Sequence, residues 1–139
     1  MRYIIDTNIF IRVLETSNKT QHEECKRFLR YVKINKIEAS TLDVVLAEID
    51  WTLKSFYKVK KSKRVESLKY IINLPGLGFI HKSDINTTLT LYENHNVKFV
   101  DCLLASIPQV INKEWAVVSY DKDFDKLGII RKNPGELVI

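Results

Sequence analysis

Glycine and proline are scarce in this 139-residue chain, at four and three residues, so little of it is available for long loops or flexible linkers. No internal repeat or low-complexity tract appears. The length predicts a single domain, residues 1–139, able to bury a real core. The two cysteines, Cys25 and Cys102, form no CxxC pair and imply no disulfide framework. No apolar run approaches the roughly 20 residues needed to cross a bilayer, so no membrane association is expected. The opening MRYIIDTNIF is broken by Asp6 and Asn8, too early for a secretory signal with its apolar stretch of about 7–15 residues. These absences predict a cytoplasmic protein with reduced thiols.

His22, His81 and His95 are scattered without HxH or HExxH spacing, which argues against zinc. A Gly-rich phosphate loop and a GxSxG nucleophile elbow are both missing. A DxD nucleophile motif at the N-terminus is excluded because position 8 is asparagine. The rest is ordinary globular material. Apolar residues make up 45% and charged residues 28%, unlike disordered, collagen-like or coiled-coil sequences. A net charge of +5 and a pI near 9.2 favour polyanionic partners such as nucleic acid, although many lysine-rich proteins bind nothing anionic.

Apolar patterning predicts short strands alternating with helices. Residues 2–5 form a β-branched and aromatic run that suits a buried strand ending at Asp6, followed by a turn at Thr7 and Asn8 and a short helix over 9–14. Cys25, Phe28, Leu29 and Val32 mark one face of a helix over 21–32. A second strand is expected over 37–40. The strongest helical pattern covers 41–57, where Leu42, Val45, Ile49, Leu53 and Phe56 recur at the helical period and Ser40 or Thr41 serves as N-cap. A basic stretch over 58–64 leads into a helix over 65–72, ended by Pro75 and Gly76. Further on come a strand over 77–80, a helix opened by Ser83 and carrying Ile85, Leu89 and Tyr92, and a helix over 101–111 that Pro108 kinks or shortens. A clear strand over 115–119, a helical turn over 124–127 and a last strand near Ile129 complete the chain. The alternation predicts an α/β fold, a three-layer α/β/α sandwich around a mainly parallel sheet. Ligands of such sheets gather at the carboxyl ends of the strands.

Four carboxylates stand out in such a fold. Asp6 comes directly after the first strand, and Asp121 lies two residues beyond the 115–119 strand. Glu48 lies inside the best helix beside Val44, Val45, Trp51 and Thr52, and Asp101 stands in the first turn of its own helix. Each has an ordinary explanation as a cap, a turn residue or a solvated helix position. Only Asp6 outweighs that explanation alone.

Taken together, the four carry a resemblance over nearly the whole chain. The hydrophobic opening followed by Asp6-Thr7-Asn8 resembles the start of a PIN domain. Residues 41–48, TLDVVLAE, resemble its second motif, a helix beginning at Ser or Thr with Glu one to two turns in. FVDCLLA at 99–105 resembles the third motif, and VVSYDKDF at 117–124 the fourth. Each motif is weak alone, but four in order are fairly specific. Pro108 in the helix after Asp101 and Cys102 beside Asp101 depart from the usual pattern. The size is similar to that of the VapC-type toxins of prokaryotic toxin–antitoxin pairs. The resemblance implies an endoribonuclease toxin that forms a homodimer, is restrained by a cognate antitoxin and acts on RNA.

Phosphodiester hydrolysis drives water against an anionic centre, and divalent cations assist by acidifying bound water and neutralising charge on the phosphate. Hard Mg²⁺ or Mn²⁺ selects oxygen donors. Four clustered acids repel unless a cation relieves them. Asp6, Glu48, Asp101 and Asp121 are therefore the expected catalytic and metal-binding residues. Asp121, Asp123 and Asp125 alternate, and Asp121 is preferred, with Asp123 accessory. Asn8 and Ser119 are expected to hold carboxylates by hydrogen bonds. Lys58, Lys60, Lys61, Lys63 and Arg64 can grip an RNA backbone, although a solvated junction between helices explains them better. Phe56 and Tyr57 beside them can stack on bases, although Phe56 fits the core stripe better. Two rival readings are a housekeeping PIN-type RNA-processing nuclease and an RNA-binding or interaction module without catalysis, the latter disfavoured because all four acids are present.

Overall fold

The computed structural model describes residues 1–80 and 82–138, and His81 lies outside them. Five parallel strands, β1 (Arg2–Ile5), β2 (Ala39–Leu42), β3 (Leu77–Ile80), β4 (Trp115–Val118) and β5 (Arg131–Lys132), form one sheet in the order β3-β2-β1-β4-β5. The chain moves outward from β1 to β3, then returns across β1 to β4 and β5. Because crossovers between parallel strands are right-handed, that reversal sends the later helices to the opposite face. On one face α1 (Thr7–Leu14) packs on α2 (Lys19–Lys33) and α3 (Asp43–Ser55), and α3 on α4 (Lys61–Ile72). On the other, α6 (Phe99–Ala105) packs on α5 (Ile85–Asn94), α7 (Pro108–Ile111) and a 3₁₀ helix, Lys122–Leu127. The result is the expected α/β/α sandwich.

Coverage on both faces explains the apolar runs of the central strands. Ile4, Ile5, Val117 and Val118 are all fully buried, each side chain contributing about 1.5–3 kcal/mol of burial free energy. The helices bury one stripe each, and Cys25, Phe28, Leu29 and Val32 of α2 form the inward face expected of them.

Several boundaries differ from the sequence pattern for identifiable reasons. Thr7 and Asn8 belong to α1, because the Asp6 carboxylate accepts from the Thr7 N–H and caps the helix two residues early. Strand β2 runs two residues later than the apolar run. Its Thr41 is therefore a sheet residue, its hydroxyl donating to Ile5 O at 2.7 Å, and α3 begins at Asp43 with no side-chain cap. Pro108 splits the expected helix into α6 and α7 and sits at the start of α7, where its missing N–H costs nothing. Ile85, Leu89 and Tyr92 of α5 are exposed, and α5 is capped by Asp84, not Ser83. The last strand lies just beyond Ile129, and a short helix, α8 (Pro134–Leu137), comes after it with an Asn133–Glu136 capping box. Phe56 leaves the core stripe and stands 73% exposed.

Candidate active site

Strand order reverses between β1 and β4, so their carboxyl ends open a crevice, and the carboxylates converge there. Asp6 emerges from β1 and is almost wholly buried. Its Oδ1 accepts from the Thr7 N–H at 2.8 Å, and its Oδ2 accepts from Ser119 Oγ at 2.7 Å and Asn8 Nδ2 at 3.1 Å. Ser119 is a hub. Besides donating to Asp6, its hydroxyl oxygen accepts from Asn8 Nδ2 and from the Asp121 N–H, each at 2.9 Å. Asn8 and Ser119 thus both donate to the Asp6 carboxylate, tying the end of β4 to the first turn of α1.

Asp101 enters from α6 on the opposite face and is fully buried, yet neither carboxylate oxygen has a hydrogen-bond partner. Donor oxygens of Asp101, Asp121 and Asp123 all lie within 4.8 Å of one another. Asp123 therefore belongs to the same cluster as Asp121. Asp125, the third of the alternating aspartates, is turned away and held by Arg131 in a two-point pair at 2.9 and 3.1 Å. Asp6 and Glu48 stand outside that triplet and reach it through their charge. Glu48 leaves Oε1 buried and unpartnered, while Oε2 faces Lys98 Nζ at 3.6 Å.

The electrostatics record the crowding. Burial first, and then the Asp6 charge, lifts the Asp101 carboxyl to about 8, with Lys98 opposing. Burial likewise raises Asp6 to about 6, against the pull of the Ser119 and Thr7 hydrogen bonds. Burial pulls Lys98 down, yet Glu48, Asp101, Asp6 and Asp121 together hold it above the usual lysine value. Lys98 is the site residue that motif reading missed. Its signal was spacing, three residues before Asp101 and so one turn away on the same helical face.

A family model described as the PIN domain matches residues 3–130. The chain belongs to the PIN-domain family. No curated protein matches it in sequence. Among solved structures, the VapBC2 complex of Rickettsia felis bound to a DNA fragment from its promoter is similar, with a TM-score of 0.66 at 18% identity over 96% of this chain and 98% of that one. Mycobacterium tuberculosis VapC20, described as a sarcin-ricin loop cleaving toxin, gives 0.67 at 15% identity over 92% and 96%. FitAcB of Neisseria gonorrhoeae gives 0.65 at 12% over 95% and 97%. At these identities the likeness is one of fold.

The PIN-domain crevice fits a hard divalent cation on its own chemistry. Every donor is a carboxylate oxygen, and three buried carboxylate oxygens, two on Asp101 and one on Glu48, have no protein partner. The basic stretch is divided in its roles. Arg64 donates to Asp50 and to Val59 O, bracing the start of α4 on α3, and Lys63 faces Glu66. Lys58, Lys60 and Lys61 are exposed. Among the described residues, no helix is long and apolar enough to cross a membrane.

Proposed function

We propose that this single PIN domain, residues 1–139, is a Mg²⁺- or Mn²⁺-dependent endoribonuclease and the toxin of a toxin–antitoxin pair, acting in the cytoplasm as a homodimer. The observation that carries the catalytic reading is Asp101, a fully buried carboxylate with both oxygens unmet among four other acids. A structural role alone leaves that cost unexplained, because buried charges are otherwise paired or metal-bound. A bound divalent cation acidifies water and neutralises charge on the scissile phosphate. Asp101, Asp121 and Asp123 would hold it, with Asp6 directly beside them. Glu48, through its unmet Oε1, orients the attacking water and accepts its proton. Ser119 and Asn8 keep Asp6 in place, and Lys98 offers its ammonium to the substrate phosphate at the mouth.

The toxin reading draws on the VapC and VapBC proteins to which the fold is similar, and it includes a cognate antitoxin as partner. Incubation of purified protein with structured and unstructured RNA in Mg²⁺, Mn²⁺ or EDTA tests the chemistry, with Asp6→Asn as control for contaminating nuclease. Metal-dependent cutting lost in that variant is expected. Absence of both cutting and metal binding by calorimetry refutes it. Growth arrest on expression, relieved by co-expression of an adjacent small gene, tests the pairing.

A further inference from the structure

Helix α3 carries more than Glu48 along the crevice. Trp51 and Thr52 lie one turn further along the same face, and Phe56 caps the helix end. Across from them α1 presents Asn8, Ile11 and Arg12 at matching helical spacing. The two walls enclose a cleft of about 330 Å³ that begins at Asp6 and Glu48 and ends at Phe56 and Tyr57. Two aromatic rings line it while open to solvent, Trp51 at 66% exposure and Phe56 at 73%, and Phe56 meets Tyr57 edge-on at 4.8 Å. Aromatics this exposed gain little from burial, and two of them lining one cleft suit a surface that meets a partner.

Charge chooses the occupant. The carboxylates lie at the inner end of the cleft, Lys98 and Arg12 line its length, and exposed Lys58, Lys60 and Lys61 come directly after Tyr57. An aromatic platform flanked by cations and leading from a phosphodiester-cutting centre matches a single-stranded nucleic acid. Aromatics take the base faces and lysines take the backbone. Eight residues separate Glu48 from Phe56, about 12 Å of helix, which sets the platform beside a nucleotide neighbouring the cut rather than at the cut itself.

We propose that Trp51 and Phe56 form a base-stacking subsite that receives an unpaired nucleobase of the RNA strand flanking the scissile phosphate. The inference rests on the nuclease reading above and adds to it which side chains of this chain receive the flanking base. Both residues are exposed, so Trp51→Ala and Phe56→Ala leave the core intact, and unchanged melting temperatures verify this.

The test crosses the variants with the substrate. Affinities are measured for an RNA oligonucleotide and for the same strand with abasic sites, in Mg²⁺ on an Asp121→Asn background that prevents turnover. KM is measured in parallel with the unmodified protein. Loss of the bases is expected to weaken parental binding about ten-fold, by removing stacking. Phe56→Ala with Trp51→Ala is expected to weaken binding to the normal strand by a similar factor and to leave abasic affinity unchanged. Trp51→Phe, with Phe56 in place, is expected to keep most of the parental affinity. Equal losses on both strands, or no loss in the double variant, overturn the subsite. A protein that cuts RNA yet shows either of these results keeps the nuclease reading, with the aromatics then left for a protein partner. A parent that neither binds nor cuts RNA removes both.

Discussion

Replacing Asp101 by asparagine separates the cost of this site from its use. The carboxyl is lifted from an ordinary 3.8 to about 8, so at neutral pH folding forces most molecules to take up a proton that the unfolded chain releases. At about 1.4 kcal/mol per pH unit, the cost at pH 7 is at most about 4 kcal/mol. The shift is shared with Asp6, Asp121 and Glu48, and half of that, about 2 kcal/mol, is the working expectation. Asparagine leaves a comparable set of polar atoms unmet, so the ionisation difference dominates. Because the folded-state value lies above the unfolded one, the stabilising contribution of Asp101 is fully present below 3.8 and is lost as pH rises towards 8. Without metal, Asp101→Asn is therefore expected to match the parent below about pH 4 and to exceed it progressively towards about pH 8. The gain in melting temperature is roughly 8 °C at about 4 °C per kcal/mol. Saturating Mg²⁺ should reverse the order, because a ligand at about 100 times its Kd stabilises the parent by about 2.7 kcal/mol and has lost a donor in the variant. Thermal melts across pH, in EDTA and in Mg²⁺, read both arms. An Asp101→Asn protein less stable than the parent in EDTA at neutral pH refutes the argument, since it makes the buried carboxylate a structural asset.

Removing the Ser119 hydroxyl frees Asp6 from the strongest interaction lowering its pKa, so Ser119→Ala should push that group above 6 and move the acid limb of the pH–rate profile upward by roughly one unit. An unmoved limb would disconnect Asp6 from catalysis. Lys98→Met removes the cation facing Glu48 at 3.6 Å, so calorimetry should find divalent binding tightened a few-fold while RNA affinity falls. Lys60→Gln with Lys61→Gln should flatten the salt dependence of single-stranded RNA binding by about 1.4 in slope without changing stability. Arg64→Gln, losing Asp50 and Val59 O, should lower the melting temperature instead. Gly76→Ala should cost about 2 kcal/mol in denaturant unfolding, because φ is +81° and the added Cβ would meet Val32 O at 2.4 Å.

Local patterning was enough to locate the central strands, the α2 stripe and the acids Asp6 and Asp121. A buried parallel strand shows as an uninterrupted apolar run, and the residues just past its end stand at the ligand-binding edge. The α3 boundary was less legible. Thr41 is equally suited to capping a helix and to ending a strand, and pairing with β3 decided between them. Phe56 satisfies the helical period, but at the C-cap the chain turns away and the period no longer specifies a face.

Order along the chain identified the four acids. Bringing Asp101 within reach of Asp121 and Asp123 required the crossover that places α6 on the opposite face from α1 and α3. Local preference likewise could not divide Asp121, Asp123 and Asp125, which share one residue type at one spacing. Arg131, arriving on β5, withdrew Asp125. Lys98 shows in the sequence as a neighbour of Asp101 one turn away, but its pairing with Glu48, fifty residues earlier on another helix, came only with packing. Hydrophobic period and turn chemistry act between near neighbours and are written in the chain. The field of a charge acts through space, and only the packed fold sets which charges share it.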